Sequence, residues 1–414
     1  MKFVYPFLIS AYGILITLAS VFNSKAKLFS KGRKNVFKEL DYWCDMNSKR
    51  TIWFHAASLG EFEQGRPLIE YIKEKYPHYS ILLTFFSPSG YEVRKDYEYA
   101  DHICYLPLDS SSNAKRFIHM VNPKMVFFIK YEFWHNYLKT LNNNNIPTFS
   151  ISSIFRENQV YFKKPKNFHN NILRNVTHFF VQNKASETLL KQIGISSTTV
   201  TGDTRFDRVA DITKSAKSLE VIENFIDKNL PTVILGSSWK EDLDIIGSIL
   251  SKHIADFKLI IAPHKVDTKT LDEIDSYFSV KVLRYSNYQI CCDGGFSVLT
   301  IDNIGLLTSI YAYGDIAYVG GAFKTGLHNV LEPATFGSPV IFGPQYEKFD
   351  EAKNLVQSGG GKSISNAEEF EKIFLRLLDK LEREKSGQLA KEFIQKNTGA
   401  TKEIIKYLNE QNLL

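Results

Sequence analysis

From residue 51 onward the chain alternates short apolar or β-branched runs with longer segments whose apolar side chains recur every three or four positions. Runs at 51–55, 81–85, 125–129, 147–152 and 178–181 have the length of buried strands, and 67–75, 131–141 and 184–193 carry a helical period between them. Buried strands separated by amphipathic helices imply parallel sheet covered on both faces, because a crossover is needed to return the chain to a parallel start. A polar interval at 207–230 interrupts the rhythm. It resumes after Pro231 with runs at 232–235, 258–262, 280–283, 316–319 and 340–342, and from Asn366 the chain reads as mostly helical. The pattern therefore predicts an α/β protein of two doubly wound domains, 25–206 and 231–414, with a linker at 207–230 and a cleft between them. Open sheets of this kind bind ligands beyond the carboxyl ends of their strands, where Gly236, Pro263, Gly320 and Gly343 fall.

The first 24 residues follow another pattern. No charge occurs between Lys2 and Lys25, and 3–22 is largely apolar, about the 20 residues needed to cross a bilayer. Lys25, Lys27, Lys31, Arg33, Lys34 and Lys38 follow at once, which keeps the rest of the chain on the cytoplasmic side of an inner membrane. A membrane anchor over 1–24 is the preferred reading over a cleaved signal peptide, whose basic start would be Lys2. Pro6, Gly13, Ser10 and Thr17 weaken a span and leave an interfacial helix open.

Composition changes little in this picture. Of 414 residues 44% are hydrophobic and 23% charged, the balance of a folded protein with two cores. A formal charge of +6 is too dilute for a nucleic-acid binder but suits anionic lipid or phosphorylated substrates. Cys44, Cys104, Cys291 and Cys292 form no CxxC pair and no zinc spacing, and read as reduced thiols, the adjacent pair in a strand.

Five stretches carry candidate chemistry. Ser58-Leu59-Gly60-Glu61 follows the first strand, and a carboxylate there can either complement a helix dipole or serve as a general base. Glu132 follows a later strand and is a candidate partner for Glu61; Trp134 beside it reads as core. Gly236-Ser237-Ser238 between strand and helix would let a phosphate approach backbone N–H groups. Asp242 and Asp244 sit in a first helical turn, where the dipole explains them better than a metal. His264 and Lys265, at another strand end, can neutralise a leaving phosphate. The densest stretch runs from Gly320-Gly321 to His328-Asn329-Val330-Leu331-Glu332-Pro333. Its glycines permit close ligand approach, Asn329 can cap a helix, and Glu332 can accept from both ribose hydroxyls.

In this order the motifs resemble the 3-deoxy-D-manno-octulosonic acid (Kdo) transferases of lipopolysaccharide assembly. The likeness rests on Ser58–Glu61, on Glu132 with Trp134 and Asn136, on Gly202-Asp203-Thr204-Arg205-Phe206-Asp207, and on Gly320-Gly321 with His328–Pro333. Leu327 stands where the family pattern has a second glycine. The resemblance implies two Rossmann-like domains of the glycosyltransferase B fold. It implies CMP-Kdo as donor, a lipid A precursor (a tetraacyldisaccharide phosphate) as acceptor, and inversion with neither metal nor cofactor. Glu61 would be the general base, with Glu132, Ser58 and Gly60 on the acceptor side. Arg205, Gly236, Ser237, His264, Lys265, Gly320, Gly321, Asn329 and Glu332 would hold the donor. Two rivals stand beside it: a sugar-nucleotide epimerase of the same fold, and a non-catalytic lipid-binding relative.

Overall fold

A computed structural model describes residues 4–163, 167–215, 217–290, 295–324 and 326–414, so Cys291 and Cys292 lie outside the described residues. The chain divides into two units, 1–208 with 398–414, and 209–397.

The first unit holds a parallel sheet of β1 (Arg50–Ala56), β2 (Tyr79–Phe85), β3 (His102–Tyr105), β4 (Met125–Ile129), β5 (Thr148–Ser153), β6 (His178–Val181) and β7 (Thr198–Val200), in the order β3-β2-β1-β4-β5-β6-β7. Side chains alternate across it: Trp53, Leu82, Val126 and Phe179 pack into one core, Phe54, Ile81, Phe127 and Phe180 into the other. Both faces are covered, so the strands read as continuous apolar runs. The strands β3 (His102-Ile103-Cys104-Tyr105) and β7 (Thr198-Thr199-Val200) escape the sequence pattern because neither is a continuous run of large apolar residues.

The second unit repeats the plan with β8 (Thr232–Ser238), β9 (Lys258–Pro263), β10 (Val282–Arg284), β11 (Val298–Thr300), β12 (Ile316–Val319), β13 (Val340–Phe342) and β14 (Gly361–Ser363), in the order β10-β11-β9-β8-β12-β13-β14. The expected linker is not a plain connection. It contains the helices Arg205–Ser215 and Glu220–Phe225, and Leu219, Ile222 and Phe225 pack into the second unit's core. The terminal helices also divide. The last, Ala400–Glu410, buries Ile404, Ile405 and Leu408 in the first unit's core instead of the second's. Asp207 secures its start by accepting from the N–H groups of Gly399 (2.5 Å) and Thr401 (2.7 Å).

The spanning anchor expected at the N-terminus is corrected. The helix there is Val4–Ala19, 16 residues and so about 24 Å long, against the roughly 30 Å of a bilayer's hydrocarbon core. Among the described residues no helix is long and apolar enough to cross a membrane. One side of it meets the first unit. Tyr5 bonds Asp109, Tyr12 stacks on Phe86 at 6.2 Å, and a Cβ on Gly13 would lie 2.9 Å from Leu108. Phe7, Leu15, Leu18 and Phe22 stay exposed, Phe22 to 93%.

Arg33 leaves the expected basic run. Its guanidinium donates to the carbonyls of Leu106 (2.9 Å), Phe29 (3.1 Å) and Phe86 (2.6 Å) and lies 3.6 Å from the Phe29 ring centroid. Burial pushes its pKa down to about 10. It serves the core and is not presented to a lipid surface.

Candidate active site

In the first unit the carboxyl ends of β1 and β4 bring two acids together. Ala56 ends β1, Ser58 takes extended backbone, and the helix Leu59–Lys75 starts with Glu61 in its first turn. Glu61 Oε2 folds back onto the Ala57 N–H at 2.6 Å. Burial pushes this carboxyl up to about 7 and the Glu132 charge adds to it, against the Ala57 and Ser58 N–H groups and Lys130. A carboxylate poised near neutrality is matched to taking a proton from a hydroxyl. Ser58 makes no cap bond, and a Cβ on Gly60 would meet nothing within 4 Å, so the protein's own packing does not dictate that glycine.

Glu132 is held from two sides. Trp134 Nε1 donates to its Oε2 at 2.8 Å, and His55 Nε2 lies 3.3 Å from the same oxygen. His55 is fully buried and fixed by Thr84 at 2.8 Å, its neighbour in the β1–β2 register. Trp134, expected as core, is half-buried against Phe86 at 4.7 Å and is a partner of the acid. Just before Glu132, Lys130 takes φ +65°. That backbone costs a non-glycine residue about 1–3 kcal/mol and is typical of sites where geometry matters more than stability.

Arg205 belongs to this unit. Its guanidinium binds Asp203 Oδ2 at 2.7 and 3.0 Å, and the same buried oxygen accepts from Gln64 Nε2 at 3.1 Å.

The second unit's donor candidates gather at the ends of β8, β9 and β12. Gly320 is required by contact: a Cβ there would lie 2.7 Å from both Ser238 Cα and Asp242 Oδ2. At Gly236 a Cβ would collide with the Tyr311 phenol. Ser237 takes φ +52° and Gly321 +96°. Asp242, read from sequence as a dipole partner only, is the hub of these loops. Fully buried, it accepts from Trp239 N–H (2.9 Å), Gly321 N–H (3.0 Å) and the Tyr318 hydroxyl (2.9 Å).

Over this hub the His264 ring stacks on Trp239 at 4.2 Å, and His328 lies 4.8 Å from His264. Lys265 Nζ is 5.6 Å from the Trp239 ring. Asn329 sits two residues ahead of the first residue of the helix Leu331–Phe336, with Val330 at the N-cap position between them, and it accepts from the Leu331 N–H (3.0 Å) and donates to Glu332 Oε1 (2.9 Å). Thr308 donates to Glu332 Oε2 at 2.9 Å, so both carboxylate oxygens are oriented before any ligand arrives. Sequence reading missed Thr84, Trp239 and Thr308, and had no signal for them; Asp242 was signalled by its position three residues into a helix.

Among the described residues no cluster of three His, Cys, Asp or Glu side chains could hold a metal ion.

Residues 31–208 match the family model of the 3-deoxy-D-manno-octulosonic-acid transferases (kdotransferases). The 3-deoxy-D-manno-octulosonic acid transferase of Aquifex aeolicus is 27% identical over 78% of this chain and 85% of its own length. That of Chlamydia pneumoniae is 29% identical over 84% of this chain and 82% of its own. Among solved structures, the UDP-GlcNAc 2-epimerase of Neisseria meningitidis superimposes with a TM-score of 0.62 at 16% identity, covering 87% of this chain and 100% of that one. Acinetobacter baumannii MurG gives 0.54 at 13% identity over 87% of this chain and 99% of its own. At such identities the likeness establishes the fold, two parallel-sheet α/β units of the glycosyltransferase B type, and says nothing of chemistry.

Proposed function

Since the chain belongs to the 3-deoxy-D-manno-octulosonic-acid transferase family and is a glycosyltransferase, we propose that it moves Kdo from CMP-Kdo to a lipid A precursor with inversion at the anomeric carbon. The observation that carries this reading is Glu61, a carboxyl raised to about 7 by burial and by Glu132, next to Gly60, where a Cβ would meet nothing within 4 Å.

In this reading the first unit supplies the base. Glu61 takes the proton of the acceptor hydroxyl as the oxygen attacks the anomeric carbon, and the bond to the CMP phosphate breaks with its electron pair leaving on phosphate. Glu132 and Ser58 contact the acceptor. The second unit holds the donor: Lys265 and His264 face the phosphate, Gly236, Ser237, Gly320 and Gly321 give it room, and Asn329 and Glu332 meet the ribose. Arg205 keeps its assigned role on the donor side, with its guanidinium oriented by Asp203. One phosphate leaving group needs less charge neutralisation than a diphosphate, so transfer proceeds without a metal.

The enzyme works at the cytoplasmic leaflet of the inner membrane with its first helix in the interface. Phe7, Leu15, Leu18 and Phe22 present an exposed apolar strip, and Lys25, Lys27 and Lys31 are exposed beside it. Near anionic lipid each such lysine is worth about 1 kcal/mol.

Incubation with CMP-Kdo and a tetraacyldisaccharide phosphate in EDTA, with mass spectrometry of the lipid, tests the proposal. A lipid heavier by whole Kdo units is expected. An unmodified lipid together with epimerisation of a sugar nucleotide would favour the rival enzyme.

A further inference from the structure

Trp239 has no place in the reaction as described, yet its geometry fixes one property of the donor site. Its indole Nε1 lies 3.1 Å from His328 Nε2. An indole nitrogen carries a hydrogen and has no lone pair to offer. For the contact to be a hydrogen bond, His328 Nε2 must be the acceptor, and the imidazole proton must sit on Nδ1. An imidazolium, or the Nε2–H tautomer, would set two N–H groups against each other.

The indole is not free to turn away. Its backbone N–H is tied to the buried Asp242, whose same oxygen holds Gly321 N–H, so the loop bearing Trp239 and the loop leading to His328 share one anchor. The His328 backbone N–H returns to Gly320 O at 3.3 Å. The His264 ring is stacked on the indole with planes 19° apart, which further restrains it. Burial, and the neighbouring His264, also lower the pKa of the His328 ring and so disfavour a second proton. Among the described residues His328 Nδ1 has no hydrogen-bond partner in the protein, and so its N–H is left for a ligand.

We infer that Trp239 is a positioning residue that holds His328 as the neutral Nδ1–H tautomer, presenting an uncharged hydrogen-bond donor to an oxyanion of the bound donor substrate. This rests on the donor-site reading above for the identity of the ligand, and on geometry alone for the tautomer. It divides the labour among the polar groups of the site. Lys265 supplies positive charge toward a phosphate, while His328 supplies direction without charge, which lets the monophosphate depart without a tight ion pair to a histidine.

The test has two arms. In the ligand-free protein, long-range ¹H–¹⁵N correlation of ¹⁵N-histidine reports the tautomer of His328 directly. Wild type is expected to show a protonated Nδ1 and an unprotonated Nε2 at pH 7. Trp239→Phe, which keeps a ring for His264 to stack on but removes the N–H, is expected to lose that preference. An Nε2–H tautomer or an imidazolium in wild type overturns the inference, and so does an unchanged tautomer in Trp239→Phe. The second arm measures CMP affinity by calorimetry. His328→Asn puts an amide N–H near the Nδ1 position and should stay within about threefold of wild type, whereas His328→Gln mimics Nε2 and should weaken binding by about tenfold or more, one lost hydrogen bond to a charged group. Equal losses in the two variants overturn the donor role. Wild-type protein that shows the tautomer but binds no CMP would defeat the donor-site reading and leave the Trp239 assignment standing.

Discussion

The Tyr5 hydroxyl donates to Asp109 Oδ2 at 2.5 Å, across 104 residues of sequence, and so joins the first helix to the loop after β3. Asp109 also accepts from the N–H groups of Asn136 and Tyr137, both at 3.0 Å, at the start of the helix His135–Asn143. The residue just before that helix is Trp134, the partner of Glu132. A surface helix with an exposed apolar strip is thereby connected through a buried carboxyl to an acid of the candidate site.

Tyr5→Phe should therefore destabilise the first unit by about 1–2 kcal/mol, the worth of a hydrogen bond to a charged group less relaxation. Burial raises the Asp109 carboxyl to about 7, and the Tyr5 bond favours its ionised form. The loss should thus be larger at pH 8, where Asp109 is charged, than at pH 6. Urea unfolding at both pH values checks it; equal losses would show that Asp109 is not titrating there.

Removing residues 1–23 should lower the melting temperature as well as the rate on acceptor in vesicles, because Tyr5 and Tyr12 leave with the helix. Detergent-dispersed acceptor should restore only part of the rate. Full recovery with an unchanged melting temperature would show that the helix acts as a membrane tether alone.

Glu61→Gln should lower kcat by about 10²–10⁴-fold with CMP binding retained, the usual worth of a general base. Folding should not suffer. A carboxyl raised to about 7 from an ordinary 4.5 penalises the folded state as pH rises between those values, so the neutral glutamine should be as stable as wild type or more so at pH 8. Rates within tenfold of wild type would remove Glu61 from the chemistry.

The pH profile of kcat/KM should have an acidic limb near 7, with activity rising as Glu61 ionises. In Glu132→Gln the repulsion between the two acids is gone, so the limb should move to lower pH even as the maximum rate falls. A limb that stays in place would mean that Glu132 does not act on the base electrostatically.

Glu332→Ala should raise the KM for CMP-Kdo with a smaller change in kcat, as expected when an interaction serves ground and transition states alike. Thr308→Val removes only the hydroxyl that orients Glu332 and should raise the same KM less. Steady-state kinetics with varied donor decides; an unchanged KM in Glu332→Ala would place the ribose elsewhere.

How far the sequence alone could be read follows from element length. The strands β1, β2, β4, β5, β6, β8, β9, β12 and β13 were legible as apolar runs, most within two residues of their ends, because burial on both faces leaves a long apolar signature. The three-residue strands β7, β11 and β14 owe their structure to the neighbour they pair with. The apolar N-terminus was legible as a membrane-seeking segment but not as a 16-residue helix, since nothing in its composition records that Tyr5 and Tyr12 have partners in the first unit.

What the sequence by itself determined was the alternation of strand and helix, the positions of Glu61, Glu132 and His264 just beyond strand ends and of Glu332 in a first helical turn, and the resemblance to a family. All are local properties, set by side-chain period and by residues adjacent in the chain. Only the tertiary structure decided which of them meet. The β1–β2 register sets His55 opposite Thr84, the β1–β4 register sets it opposite Phe128, and from there Glu132 and Trp134 come into reach. A shift of one residue would turn each side chain to the other face of the sheet. Trp239 reaches His328 across 89 residues because the central pairing of β8 with β12 puts their loops side by side over Asp242. Such contacts depend on strand order and register, which are settled by burial summed over the whole sheet and leave no trace in the local sequence.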